Sequence, residues 1–200
     1  MQLYFAPGAC SLAPHIALNE GGFQYTAVQV DLKTHTVTSD GTDFLRINPK
    51  GYVPVLVLDN GQTLTEVAVL LQYLAAQKAG LAPAAGTPDF YRCLEWVSFI
   101  ATELHKSFGP LFSPTASDAM KARQIELIGR RFGYVSQHLK SHAWLLGADF
   151  SIADIYLFTI ANWSQFVHLD LAPWPELQRF MERMRQRPQV AATLKAEGLA

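Results

Sequence analysis

An α/β domain followed by an all-helical domain is the fold class this sequence predicts. Three observations carry it. Strand and helix signals alternate as far as residue 77, the Gly- and Pro-rich stretch "KAGLAPAAGTP" follows, and every later segment has helical spacing. The division drawn from this is a domain at 1–78, a linker at 79–87 and a helical domain at 88–200.

In the first part, "QLYF" at residues 2–5 is a short apolar strand. "SLAPHIALNEGG" is a helix with Pro14 in its opening turn, where a missing N–H costs little, and with Gly21 and Gly22 to stop it. "FQYTAVQV" is rich in β-branched and aromatic residues, as a strand should be, and a polar segment then runs to residue 51. "YVPVLVLDNGQTL" folds two short strands about Asn60-Gly61, a hairpin-turn pair. The helix "TEVAVLLQYLAAQ" closes the domain, with Thr65 as its N-cap.

Beyond the linker, "FYRCLEWVSFIATELHKSF" reads as one long helix. Its polar stripe is Glu95, Ser98, Thr102, His105 and Lys106, set against an apolar face of Leu94, Val97, Ile100, Ala101 and Leu104. "SDAMKARQIELIGRRFGYVSQHLK" is a second helix. "SIADIYLFTIANWSQF" is a third, opened by a capping box in which Ser151 caps and Asp154 reaches back, a structural role. "PELQRFMERMRQR" ends on arginines before Pro188, as the helix dipole prefers.

A net charge of -1 without a basic run argues against nucleic acid or an anionic membrane surface as partner. "VPVLVL" and "YLFTIA" are too short to span a bilayer, "MQLYF" has no leader pattern, and two cysteines make no disulfide framework. The expectation is a soluble cytoplasmic protein. His138 and His142 have a chelating spacing but no further ligand beside them, so they read as solvated surface residues and no metal is expected. The four tryptophans are scattered and read as core and interface aromatics.

Three motifs carry chemistry. Cys10 lies in a Pro-Gly loop at a helix start, where the dipole and open amides favour a thiolate; a small buried hydrophobe is the alternative. The residue three further on is Ala13, so no resolving thiol stands beside Cys10 and an external thiol is implied. Val53 precedes Pro54 at a strand start, a place for a cis bond or for an ordinary trans edge. Glu66 and the amide of Val67, at a helix start, can hold an amino acid head group, or Glu66 can simply complement the dipole.

Taken together and in order, "PGACS", "INPKGYVPVL", "LTEVAVLLQYL", "EWVSFIATELHKSF" and "FSIADIYLF" resemble the bacterial beta class of glutathione S-transferases. The resemblance implies a glutathione transferase fold, with a thioredoxin-like N-terminal domain and an all-α C-terminal domain, assembled as a homodimer with glutathione between the domains. It implies glutathione as co-substrate with no bound cofactor, and a small hydrophobic electrophile as second substrate. Cys10 matches the cysteine beside the glutathione sulfur, Val53 the residue before a cis Pro54 that pairs with the cysteinyl backbone, and Glu66 with Val67 the γ-glutamyl site. His105 and Lys106 match residues that close the site, His105 in a catalytic role beside Cys10, and Ser98 and Glu103 belong to the implied glutathione set. The electrophile pocket is expected at Phe108, Phe112 and Phe166. Three positions depart from the pattern: His35 replaces a lysine for the glycine carboxylate, with Lys33 as substitute, Val67 replaces Gly or Ser, and Ser98 replaces Asn. Disulfide or peroxide reduction through Cys10 is a second activity, and a non-catalytic apolar-ligand or interaction protein is the alternative.

Overall fold

The computed structural model describes residues 1–199 and divides into two compact units, Met1–Leu81 with Arg187–Ala200, and Ala82–Gln186. The first unit is built on a five-stranded sheet: β1 (Gln2–Phe5), β2 (Thr26–Asp31), β3 (Thr36–Val37), β4 (Val55–Val57) and β5 (Thr63–Thr65), in the order β3-β2-β1-β4-β5. β1 and β2 run parallel because helix α1 (Leu12–Glu20) makes the crossover, and the other pairs are antiparallel. The register sets Tyr4 opposite Val55 and Leu3 opposite Leu56. Side chains alternate across the pleat, so Tyr4, Val30, Val37, Val53 and Val55 form one apolar cluster with Phe44, which stands on a single 3-10 turn at Phe44–Arg46.

The Asn60-Gly61 turn is as read, with Gly61 at φ +80° and Leu58 and Gln62 paired across it. Thr65 is not the cap of the next helix. It ends β5, and α2 (Val67–Ala75) starts after Glu66, whose backbone sits at φ +70° and whose side chain makes no capping bond.

Helix α8 (Pro188–Ala196), for which the sequence reading assigned no element, packs on α1 and joins the first unit rather than the helical domain expected to run to residue 200. The seam is polar and specific. Arg187 holds Glu20 with two 2.8 Å bonds, Asn19 donates to Thr193 at 2.7 Å, and Glu197, 5% exposed, meets His15 Nδ1 at 2.6 Å. With α2 and α8 both against it, α1 is buried at every residue from Leu12 to Leu18.

The second unit is helical: α3 (Pro88–Phe99), α4 (Lys106–Phe112), α5 (Asp118–Leu139), α6 (Ile152–Ala161) and α7 (Pro175–Arg185). The long helix expected across 90–108 is interrupted by a π-helical turn at Ile100–His105, a wider turn that a 3.6-residue apolar pattern does not signal. All ten residues of α6 are buried, and its capping box is present: Ser151 Oγ accepts the Ala153 amide and Asp154 accepts the Ser151 amide. Asp154 also takes the Leu145 amide at 2.8 Å, and complete burial, outweighing these bonds, pushes its pKa up to about 7. No helix among the described residues is long and apolar enough to cross a membrane.

Candidate active site

The loop before α1 is shaped by its own side chains and by the last helix. Ser11 Oγ accepts the Ala6 amide at 3.1 Å and donates to the Ala6 carbonyl, closing the turn, and Gly8 turns at φ +72°. The Gly8 amide donates to Glu197 Oε2 at 2.9 Å, so the carboxylate that binds His15 also pins this loop. Cys10 emerges half-buried, and its thiol donates to the Val53 carbonyl at 3.3 Å. The first amides of the turn are spent on backbone: Leu12 N–H on Ala9 O and Ala13 N–H on Cys10 O. The contact with the Val53 carbonyl aims the Cys10 sulfur at the start of β4.

Val53 is 6% exposed and its bond to Pro54 is cis. The loop before it is ordered by Asn48, buried, whose Nδ2 donates to the Tyr52 carbonyl at 2.7 Å while its own carbonyl accepts the Gly51 amide. Gly51 has φ +71°, and a Cβ there would stand 3.0 Å from the His35 ring, so glycine serves both the turn and the ring above it. His35 itself adopts φ +53°, and its Nδ1 is buried without a hydrogen-bond partner. Lys33 lies exposed on the same connection.

The carboxylate of Glu66 is engaged by Lys50, whose Nζ donates to Glu66 Oε1 at 2.8 Å and to Thr65 Oγ1 at 3.0 Å. An ammonium therefore already sits where the sequence placed one from a ligand. Lys50 is a site residue the sequence reading missed; its signal was the position within "NPKG", but the pairing spans sixteen residues and two strands. Val67, 5% exposed, begins α2. The first unit thus brings Cys10 together with Val53, and Glu66 with Lys50.

In the second unit His105 ends the π-helical turn. Its Nδ1 meets the Tyr156 hydroxyl at 2.8 Å, and its ring stands edge-on to Trp163 at 5.0 Å. Glu103 is held by Arg131, with Nε at 2.9 Å, while Ser98 and Lys106 are exposed. Phe112 and Phe166 are about half exposed, at 48% and 46%. Phe108, expected to line a pocket, has no exposed surface, and its ring is spent on Phe132 and Trp163, which makes it a core residue. His138 is also not the solvated residue expected: it lies half-buried against Trp96, stacks on His142 at 4.3 Å and meets the Leu145 carbonyl. Burial, helped by His142, lowers its pKa. Cys93 is fully buried, and burial pushes its thiol pKa up.

Comparison with known proteins gives matches along the chain. Residues 8–77 match the family model "Glutathione S-transferase, N-terminal domain" and residues 99–188 match "Glutathione S-transferase, C-terminal domain". The sequence is 43% identical to glutathione S-transferase GstA of Escherichia coli O157:H7, over all of both chains. Among solved structures it is similar to a sphingomonad glutathione S-transferase complexed with glutathione, at 46% identity, TM-score 0.95 and full coverage of both chains. A bacterial beta class glutathione S-transferase of Sphingomonas chungbukensis is similar to the same degree, also 46% identical at TM-score 0.95 over both chains.

Proposed function

Since this chain belongs to the glutathione S-transferase family, in its bacterial beta class, we propose that it joins the glutathione thiolate to small hydrophobic electrophiles. In the reaction the thiol loses its proton, the sulfur attacks the electrophilic carbon, and the leaving group departs with the bonding electrons. The observation that carries the reading is local to the first unit: a half-buried cysteine thiol lies 3.3 Å from the carbonyl that precedes a cis proline. That carbonyl is the group proposed to pair with the backbone of glutathione, which sets the tripeptide's sulfur beside Cys10.

In this reading Glu66 takes the γ-glutamyl ammonium and the Val67 amide its carboxylate, and His35 or Lys33 faces the glycine carboxylate. Ser98, Glu103, His105 and Lys106 keep the glutathione-binding roles the resemblance gives them. Phe112 and Phe166, which retain exposed surface, are the proposed contacts for the electrophile. The chain acts as a homodimer in the cytoplasm, with glutathione as co-substrate and no resident cofactor.

A second activity, disulfide exchange through Cys10, is favoured by the accessibility of that thiol against the complete burial of Cys93. One pair of assays tests both. Purified protein should conjugate an activated aryl halide only when glutathione is present, and Cys10→Ala should lose mixed-disulfide formation with glutathione while conjugation continues. Glutathione-independent turnover, or tight binding of glutathione and halide with no product, counts against the transferase reading. Undiminished disulfide exchange in Cys10→Ala counts against the placement of the thiol.

A further inference from the structure

Lys50 stands on the loop that leads to the cis proline, and that loop is fixed on both sides of it. The Lys50 amide donates to Asn48 Oδ1 at 3.3 Å, the Gly51 amide donates to the Asn48 carbonyl at 2.9 Å, and Asn48 is buried. From this base the lysine side chain crosses to the end of β5, where Nζ donates to Thr65 Oγ1 at 3.0 Å and to Glu66 Oε1 at 2.8 Å. Lysine has a flexible stem, so two bonds at one ammonium define where its charge lies. The Lys50 and Glu66 side chains are 52% and 67% exposed, and at that exposure an ion pair adds little to stability.

Such a pair suits a ligand that carries both charges. An α-amino acid group has an ammonium and a carboxylate on one carbon, and it docks on an ion pair with its own dipole reversed, its ammonium on the acidic partner and its carboxylate on the basic one. The four charges then alternate in sign, and the ligand head brings no net charge to the site. The Lys50 ammonium has three N–H groups, of which the bonds to Thr65 and Glu66 use two. A carboxylate has about four lone-pair positions, so Glu66 can accept from a ligand while it accepts from Lys50. We propose that Lys50 is a specificity-determining residue of the γ-glutamyl site, donating its third N–H to the α-carboxylate that the Val67 amide also takes. This deepens the reading of Glu66 as partner of the γ-glutamyl ammonium and rests on it. The site so built selects a zwitterionic α-amino acid head over a plain amine or a plain carboxylate of the same length.

Titration calorimetry of the full protein with glutathione and two analogues tests this. One analogue, γ-aminobutyryl-cysteinylglycine, lacks the α-carboxylate; the other, glutaryl-cysteinylglycine, lacks the α-amino group. Lys50→Met keeps the stem and removes the charge, and it should bind glutathione about tenfold more weakly than the parent, the loss of one charge-assisted hydrogen bond at a half-exposed site. Removing the α-carboxylate from the ligand should cost about tenfold less in Lys50→Met than in the parent, while the cost of removing the α-amino group should agree between the two proteins within about threefold. Lys50→Arg, which keeps the charge, should stay within about threefold of the parent for glutathione. Unchanged or tighter glutathione binding by Lys50→Met, or an equal carboxylate cost in both proteins, overturns the inference and leaves Glu66 in its place. If the α-amino cost falls in Lys50→Met and the carboxylate cost does not, Lys50 only positions Glu66, which overturns it as well. A parent indifferent to the loss of either group overturns the γ-glutamyl reading itself, and the inference with it.

Discussion

Helices α2 and α6 begin in opposite ways. At α6 the capping box is complete: Ser151 caps, Asp154 reaches back and also holds Leu145, and all of it is buried. At α2 the residue before the helix is Glu66, in a left-handed backbone conformation, with no capping bond from its side chain and a carboxylate 67% exposed beside Lys50. Both starts use an acidic side chain, yet one closes on its own backbone and the other points outward to a cation. The first arrangement stabilises the unit that contains it. The second forgoes that contribution and presents a charge to whatever binds.

The sharpest way to break this contrast is to remove each carboxylate. Asp154→Ala leaves the amides of Leu145 and Ser151 and the Ser151 hydroxyl without their acceptor in the interior, and should cost about 4 kcal/mol of unfolding free energy in urea titrations. Where the variant stays folded, its KM for glutathione should stay close to the parent's; a loss under 1 kcal/mol, on the order of a surface change, would remove the distinction between the two starts. Glu66→Gln should do the reverse, with KM for glutathione raised about 10- to 100-fold and the urea midpoint nearly unchanged.

A smaller effect separates them by pH. The pKa of Asp154 is raised by burial, to about 7 in the folded chain against 3.8 for an ordinary aspartate. Its contribution is therefore fully present at low pH, below the ordinary aspartate range, and is lost as pH rises through about 7. Stability of the parent relative to Asp154→Asn should fall across that window by up to about 1.4 kcal/mol per pH unit. A difference between the two that rises with pH instead would mean the three hydrogen bonds outweigh desolvation and the group is ionised when folded.

What the sequence made legible follows from the range of each interaction. The capping box, the Asn60-Gly61 turn and the stop of α1 at Gly21 and Gly22 are set by residues within four positions of one another, and all stand as read. The π-helical turn escaped because an apolar stripe still reads as helical when one turn widens; Trp96, Val97, Ile100, Leu104 and Phe108 are buried on either side of and within it. Of the candidate site, Cys10, Val53 and Glu66 were legible because each stands in a short motif. Their partners were not: Lys50 reaches Glu66 across a hairpin, and Glu197 reaches Gly8 across 189 residues. Phe108 was misplaced for a related reason, since spacing gives a face but not what covers it.

The pairing of Glu197 with Gly8 makes the cysteine loop depend on a distant part of the chain. Residues 187–199 supply the clamp on the Pro-Gly turn, so a chain cut before residue 187 should leave the cysteine loop without the carboxylate that pins it. A loop at residues 6–11 and a helix at residues 188–196 are thus locked as one piece.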